Sequence, residues 1–569
     1  MAGHKIGVYV CNCGTNIAKT VKVDEVAETM GKLDEVAIAR SYKYMCSNPG
    51  QEMIVNDIKE FKLDRVVVAA CSPRMHEPTF RKALETAGLN QYFVEMANIR
   101  EQCSWVHDDI LEATEKAKAL TRAAVERVVF HEPLEKRSVP MISATLVLGG
   151  GIAGMTAALE LAESDQAVYL IERTASLGGN VARVDLTAPY LDSARDILSE
   201  LITRVTKHPK INVMLGAELV HLGGFIGNFI CKVKDSESDE TEFSVGSVVV
   251  CTGYKEFDAA RVKEFGYGKF PDVITSFELE SMIRKGRIVK KDGTLPQYVS
   301  LIHCVGSRSE EFNTYCSRVC CMTALKYAHE IKSAIPTAYV DDLYIDMHAF
   351  GKGCEDFYRK SSEVKTMFLM FKKNTTPQVK LAGPKDDCSM FITVQEQLSG
   401  EEIEIPTDLI VLMVGMEPRE DSANVAHLVN ISRDKDGWFI ESHPKLDPVA
   451  TTTDGVFIAG ACSSPKDIPD SVAQARAASA RILARISIGE IWTDAVYAEI
   501  EEDFCSGCRI CNNLCPYTAI EFDEEKKRSK VISAVCKACG ACVSACPSGA
   551  IKARHFTDEQ IFAQIEGVL

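Results

Sequence analysis

Residues 144–159 read ATLVLGGGIAGMTAAL, and the fold turns on this stretch. Ala144–Leu148 is a short apolar run expected as a buried strand. Gly149, Gly151 and Gly154 then fill G-x-G-x-x-G, with Ile152 and Ala153 inside the turn, and an alanine- and leucine-rich helix follows. The three glycines serve a tight turn, close approach to a pyrophosphate, and helix–strand packing. A second strand is expected to end at Glu172, 18 residues after Gly154, where a carboxylate can accept from a ribose hydroxyl. The glycines alone are a weak signal; with strand, helix and acid in place they read as a dinucleotide-binding turn.

Outward from this turn, the apolar runs Ser247–Gly253 (SVVVCTG) and Gly455–Gly460 (GVFIAG) extend the same unit over about 142–490. Before it, Ile6–Val10 and Arg65–Ala70 read as buried strands of a first α/β unit, residues 1–135, with a long helix near Asp108–Val129. The charged, proline-bearing stretch His131–Pro140 reads as a linker. A third unit spans about 495–555. The tail, 556–569, places Ile561, Phe562, Ile565, Val568 and Leu569 at helical spacing, for docking on this chain or on a partner. A chain of 569 residues suits about three to five domains.

The charge balance is 64 basic against 80 acidic residues, net −16, which disfavours a nucleic-acid or anionic-membrane binder. Residues 1–14 lack a basic segment followed by a long apolar one, so no export signal is expected. Ser143–Leu159, within the longest uncharged stretch Ser138–Leu159, contains the glycine turn and reads as part of a nucleotide fold, not a membrane span. Twenty-two cysteines, six of them in tight C-x-x-C triplets, argue for metal ligands in a reducing cytoplasm and against a secreted disulfide scaffold.

The cysteines of the third unit fall as Cys505-x-x-Cys508-x-x-Cys511-x-x-x-Cys515-Pro516 and Cys536-x-x-Cys539-x-x-Cys542-x-x-x-Cys546-Pro547. This is the two-cluster ferredoxin run, in which the fourth cysteine of each motif ligates the other cluster. One 4Fe–4S cluster would take Cys505, Cys508, Cys511 and Cys546, the other Cys536, Cys539, Cys542 and Cys515. Two full motifs, each closed by proline, argue against a zinc ribbon.

Arg173 leads from the acid into Leu177-Gly178-Gly179-Asn180, and 451–461 reads TTTDGVFIAGA. Both segments resemble disulfide-reductase-type flavoproteins, which implies FAD in the first fold; NAD there is the alternative. The resemblance puts Gly179, Asn180, Gly253, Gly460 and Ala461 at the cofactor, although an aspartate usually stands where Ala461 does. A helix expected over Asp470–Ala480 would turn the amides near Val472, Ala473 and Gln474 toward the flavin. The second glycine fingerprint of such proteins, for NAD(P)H, is missing. After the strand Tyr298–His303 the turn reads Cys304-Val305-Gly306-Ser307-Arg308, and Cys316, Cys320 and Cys321 follow. These four thiols are expected to hold a further 4Fe–4S cluster where the nicotinamide site was lost, buried structural thiols being the alternative.

Lys5–Gly14 (KIGVYVCNCG), Val66–Glu77 (VVVAACSPRMHE), Glu95–His107 (EMANIREQCSWVH), Tyr315–Cys321 (YCSRVCC) and Pro465–Gln474 (PKDIPDSVAQ) resemble the A-type subunits of heterodisulfide reductase, an iron–sulfur flavoprotein family. With the ferredoxin run and the HFTDEQI tail, the resemblance covers almost the whole chain. It implies an α/β fold: an N-terminal α/β domain, a disulfide-reductase-type FAD unit and a C-terminal α+β two-cluster ferredoxin domain. It further implies an electron-bifurcating role, without a transmembrane segment, alongside B- and C-type subunits. An electron-input module related to hydrogenase or dehydrogenase, a ferredoxin and a second copy of the chain complete the implied partners.

One departure is visible: members from methanogens usually carry an inserted ferredoxin domain before the strand matching Ser247–Gly253, whereas Gly223–Glu242 here runs straight through. A flavin relay that does not bifurcate is therefore the alternative, and a pyridine-nucleotide disulfide reductase acting alone is the rival enzyme. In the first unit Cys11, Cys13, Cys46, Cys71 and Cys103 are candidates for one more cluster, while His76 and His107 read as structural. Lys466 is the candidate cation against the flavin ring, tuning its one-electron potentials.

Overall fold

Ile6–Asn12, Val36–Lys43, Arg65–Ala70 and Val94–Asn98 (β1 to β4) make a parallel sheet in the order β2-β1-β3-β4. β1 (IGVYVCN) and β3 (RVVVAA) are buried almost throughout, the near-continuous apolar pattern of strands covered on both faces. The helices Val23–Met30, Asn48–Phe61, Pro73–Ala87 and Ile110–Val128 supply that cover. Parallel pairing points every strand's C-terminal end to one edge. Cys11 lies near the end of β1, Cys13 just past it, Cys46 in the turn after β2 and Cys71 directly after β3.

The computed structural model describes residues 4–373, 375–493 and 495–569. It divides into two units: residues up to Ser138 together with Trp492–Leu569, and Val139–Ile491. The N-terminal α/β layer and the ferredoxin-like module, read from sequence as separate units, thus belong to one. The tail explains why. Thr557 and Gln560 form a capping box that starts the helix Asp558–Val568, which lies along Ile110–Val128. A Cβ on Gly567 would stand 2.6 Å from Ala123 Cα, so only glycine permits that approach. Arg127 donates to the His555 carbonyl and Gln564, and the His131 and His555 rings stack at 4.4 Å. The tail therefore docks on its own chain, through Gln560, Ala563 and Gly567. The apolar residues that suggested docking, Ile561, Phe562, Ile565, Val568 and Leu569, are the exposed ones. Small residues won the contact because they bring two helices closer than large ones do.

The ferredoxin-like module pairs Ala498–Ile500 with Ile551–Ala553 and Ile520–Asp523 with Arg528–Val531, each antiparallel. Two short helices, Ile510–Leu514 and Ala541–Ser544, carry Cys511 and Cys542.

The second unit contains two five-stranded parallel sheets. One orders Ile211–Leu215, Val168–Glu172, Thr145–Leu148, Ser247–Val250 and Val456–Ile458. The glycine turn leads from Thr145–Leu148 into the helix Ile152–Glu163. The other orders Val273–Thr275, Leu409–Val414, Tyr298–Val305, Tyr339–Tyr344 and Thr366–Met370. Glu218–Phe225, Asn228–Lys234 and Glu240–Val245 form a plain antiparallel meander, so Gly223–Glu242 has no room for a further domain. Among the described residues, no helix is long and apolar enough to cross a membrane.

Candidate functional site

A cavity of about 1410 Å³ opens at the C-terminal ends of the first sheet's strands, where open parallel sheets bind ligands. Gly149 has φ +108°, and a Cβ there would sit 2.4 Å from the Cys251 carbonyl oxygen. At Gly154 a Cβ would meet the Gly149 oxygen at 1.9 Å. The turn therefore closes only with glycine. Beyond Gly151 and Gly253, by contrast, nothing lies within 4 Å of where a Cβ would be, and both face the cavity. Tight below and open above, the turn fits a dinucleotide.

Glu172 lines the same cavity. One carboxylate oxygen accepts from Gly150 N at 2.7 Å, the other from Thr174 N and Oγ1 at 2.8 Å. That fixes the acid at the rim with lone pairs left for a ligand hydroxyl. Arg173 pairs with Asp421 at 2.7 Å, and Asn180 donates to the Tyr254 carbonyl at 3.1 Å. Ile152, Ala153, Gly179 and Ala461 also line the cavity.

The helix expected from Asp470 begins earlier. Its first residue is Ile468, Asp467 caps it by accepting from Asp470 N at 2.8 Å, and Pro469 stands in the first turn. Val472, Ala473 and Gln474 are consequently inside the helix, where their amides bond the preceding turn. They do not point at a ligand; Asp467–Ser471 line the cavity instead. Aspartate shortly before proline starts a helix at that point, and the apolar spacing alone places the start too late. Gln474 acts through its side chain, accepting from Gly460 N at 2.8 Å and donating to the Pro448 carbonyl at 3.0 Å. Gly460 thereby lies behind the lining and not in it.

Lys466 faces the cavity, its ammonium donating to Ser463 Oγ at 2.8 Å and Ser464 Oγ at 2.6 Å; burial lowers its pKa. Another lysine in the lining carries no sequence signal. Lys326 is 2% exposed and bonds Glu280, which is 1% exposed. Glu280 also accepts from Tyr327 Oη and from Asp185 N, both at 3.0 Å. Tyr327 titrates well above its ordinary range, through burial and the Glu280 charge.

The helix bearing Lys326, Cys320–Ala334, starts with two of the four wall thiols. Cys304, Cys316, Cys320 and Cys321 act on one another electrostatically. Burial, then the neighbouring thiolates, push Cys304 up to about 12 and Cys320 well above its ordinary value. Four thiolates at one place need cationic metal to persist. Arg318 N donates to Cys316 Sγ at 3.2 Å, and Cys321 Sγ lies 3.6 Å from the Asp346 carbonyl. Cys304, Arg308 and Arg318 all take positive φ, from 56° to 69°. Such backbone costs about 1–3 kcal/mol per residue and gathers at functional sites. Cys320 also lines the large cavity, so the thiol site and the cavity share a wall.

In the first unit, four of the five candidate thiols converge. Burial first, then Cys13, Cys46 and Cys71, raise Cys11 to about 12, opposed by Met45 N–H on its sulfur. Cys103 stands apart, fully buried, its thiol donating to the Ala113 carbonyl at 3.0 Å. His76 faces Thr79, and His107 the Cys103 carbonyl. In the ferredoxin-like module, burial, then Cys536, Cys515 and Cys539, raise Cys542 to about 11. Cys515 of the first motif thus joins three thiols of the second. Ala519 N and Ala498 N donate to Cys515 and Cys536 sulfurs at 3.3 and 3.4 Å.

Comparison with known proteins agrees with this geometry. Residues 143–291 match the pyridine nucleotide-disulphide oxidoreductase family, and 504–556 the 4Fe-4S dicluster domain. The second iron–sulfur A-type subunit of the CoB–CoM heterodisulfide reductase of Methanopyrus kandleri is 41% identical, covering 99% of this chain and 98% of its own length. Its counterpart in the H(2):CoB-CoM heterodisulfide,ferredoxin reductase of Methanothermobacter thermautotrophicus is 40% identical over 99% of this chain and 97% of its own. That of the Ferredoxin/F(420)H(2)-dependent CoB-CoM heterodisulfide reductase of Methanosarcina acetivorans is 36% identical over 92% of this chain and 76% of its own. The first alignment runs over 650 positions against 569 residues here, so that relative carries at least 81 residues this chain lacks. Similarity at this level along nearly the whole length shows that the chain belongs to the family of heterodisulfide reductase A-type subunits, as an oxidoreductase carrying FAD and 4Fe–4S iron–sulfur centres.

Proposed function

We propose that the chain is the electron-bifurcating, or in reverse confurcating, component of a cytoplasmic complex of the heterodisulfide reductase kind. Electrons would pass between a donor module related to hydrogenase or dehydrogenase, a ferredoxin-type acceptor, and B- and C-type subunits that reduce a disulfide or a CoA ester. Two copies of the chain would form the centre of the complex. The names of relatives, with hydrogen, F420H2 and ferredoxin in them, support such partners. The observation that carries the proposal is the wall shared by the large cavity and the Cys304, Cys316, Cys320 and Cys321 thiols. In a nicotinamide-dependent reductase that wall would hold the glycine turn for NAD(P)H.

FAD, when bound, exchanges electrons in pairs on one side and singly on the other. The chain's own residues set its surroundings. Gly149, Gly151 and Gly154 shape the pyrophosphate cradle, Glu172 holds a ribose hydroxyl, and the Asp467–Ser471 turn closes the far side. Lys326, fixed by Glu280, places a positive charge and an exchangeable proton at the cavity wall, and Lys466 adds a further cation there. A buried ion pair adds little stability over apolar packing, so Lys326–Glu280 is best explained by chemistry. Cys320 and its three neighbours would hold one 4Fe–4S cluster, the eight terminal thiols two, and Cys11, Cys13, Cys46 and Cys71 a fourth.

The residues missing relative to the Methanopyrus protein favour a second reading, a flavin relay that does not bifurcate. Redox titration of the flavin separates the two: strongly crossed one-electron potentials are expected for bifurcation, and normally ordered potentials would sink it.

A further inference from the structure

Behind the Lys326–Glu280 pair lies a second buried carboxylate. Glu330 follows Lys326 by one helical turn, is 8% exposed, and has Oε2 3.5 Å from Lys326 Nζ. Lys326, at that long distance, is the one donor near its oxygens among the described residues. Buried carboxylates are ordinarily hydrogen-bonded, because an ionised one without partners is costly. Lys326 is already committed to Glu280, so two buried acids share one ammonium.

The charges facing Glu330 are few. Lys326 comes from its own helix, Glu280 from Ser276–Arg284, and Asp185 from the segment before Leu186–Thr187. On the neighbouring strand Tyr339–Tyr344, Asp341 answers to Lys332 and Asp342 to His303. On the helix Cys354–Glu363, Lys360 faces His329. Burial raises Glu330 to about 7, with Lys326 opposing and Glu280 and Asp185 adding to it. It therefore changes protonation near neutral pH.

We propose that Glu330 is a positioning residue of the flavin site, storing the proton that replaces the one Lys326 releases toward the cavity when the flavin is reduced. The inference rests on the placement of Lys326 and Glu280 beside the flavin under the proposed function. Two electrons arrive singly from iron–sulfur donors. One N–H of the Lys326 ammonium would break as its proton passes to the bound flavin, which takes up one proton with the two electrons. The Glu330 O–H then breaks and a new N–H forms on Lys326. The resulting Glu330 carboxylate is reprotonated from water. The helix that presents the wall thiols thus also carries the proton store, five and nine residues beyond Cys321.

Infrared difference spectroscopy on the cofactor-loaded protein tests this without turnover. Wild type should show a Glu330 protonated-carboxyl band at about pH 5.5, beside that of Asp341, which burial raises to about 6; the Glu330 band is lost at about pH 8.5 and transiently on flavin reduction. Glu330→Gln should abolish the band. The pH dependence of the flavin potential should break near neutrality in wild type, lose that break in Glu330→Gln, and regain it, displaced, in Glu330→Asp. A wild-type pH profile in Glu330→Gln, or no transient band loss on reduction in wild type, overturns the inference; Glu330→Asp, which displaces the Glu330 band and leaves that of Asp341, decides if Glu330→Gln misfolds. Lys326→Met distinguishes the two levels. If it leaves the flavin potential unmoved, the placement of Lys326 fails; if it shifts the potential while Glu330→Gln keeps the normal profile, only the proton store fails.

Discussion

The flavin-wall thiols and the terminal thiols are built in opposite ways. Cys304, Cys316, Cys320 and Cys321 come from a strand end, a loop and a helix start, are at least half-buried, and are flanked by three residues at positive φ. The eight terminal thiols sit on two short loop–helix repeats, with Cys508 and Cys539 exposed and amide groups donating to two of the sulfurs. Solvent exposure and hydrogen bonds to sulfur are among the levers that set cluster potentials. Under the proposed function the difference is a division of labour: the wall site would serve the flavin in private, and the terminal module would face partners.

The harshest way to break the comparison is Gly154→Val. Its Cβ would meet a backbone oxygen at 1.9 Å, so FAD content should fall to nothing. The terminal module belongs to the other unit and should keep its iron, which chemical analysis reads. Cys320→Ser should remove about four irons per chain while the terminal motifs keep theirs. Cys539→Ser should cost a terminal cluster instead and leave FAD and the wall iron in place.

Glu330→Gln sharpens the contrast at the buried end. An acid raised to about 7 costs the fold nothing below its unfolded value, increasingly more as pH rises toward 7, and a constant amount above. Removing the charge should therefore stabilise the fold at about pH 8 by on the order of 3 kcal/mol, read as a higher Tm, and leave Tm unchanged at about pH 4. The smallest effect is expected at the tail. Gly567→Leu drives a side chain into Ala123 and should destabilise the first unit by about 1–3 kcal/mol, with FAD content unaltered.

Local spacing made much of this legible. Cys505 to Cys546 carry their pairing in the motif, and the Gly149–Gly154 turn with Glu172 names its own ligand class. What stayed hidden was assembled by topology. Cys46 and Cys71 meet Cys11 and Cys13 only because the strand order β2-β1-β3-β4 brings their loops to one sheet edge. Cys103 looks the same in sequence yet turns into the core. Glu280, Lys326 and Glu330 read as charged positions of solvated helices, and nothing local says that two helices bury them together. The tail misled for a related reason: its large apolar residues advertise a contact that Ala563 and Gly567 make.

Iron, acid-labile sulfide and FAD per chain, measured on anaerobically purified protein, test the four-site assignment most directly. Filled sites at both units give one FAD and about sixteen irons. About eight irons would confine the clusters to the terminal module, leave the flavin without an adjacent electron carrier, and contradict the assignment of the wall site.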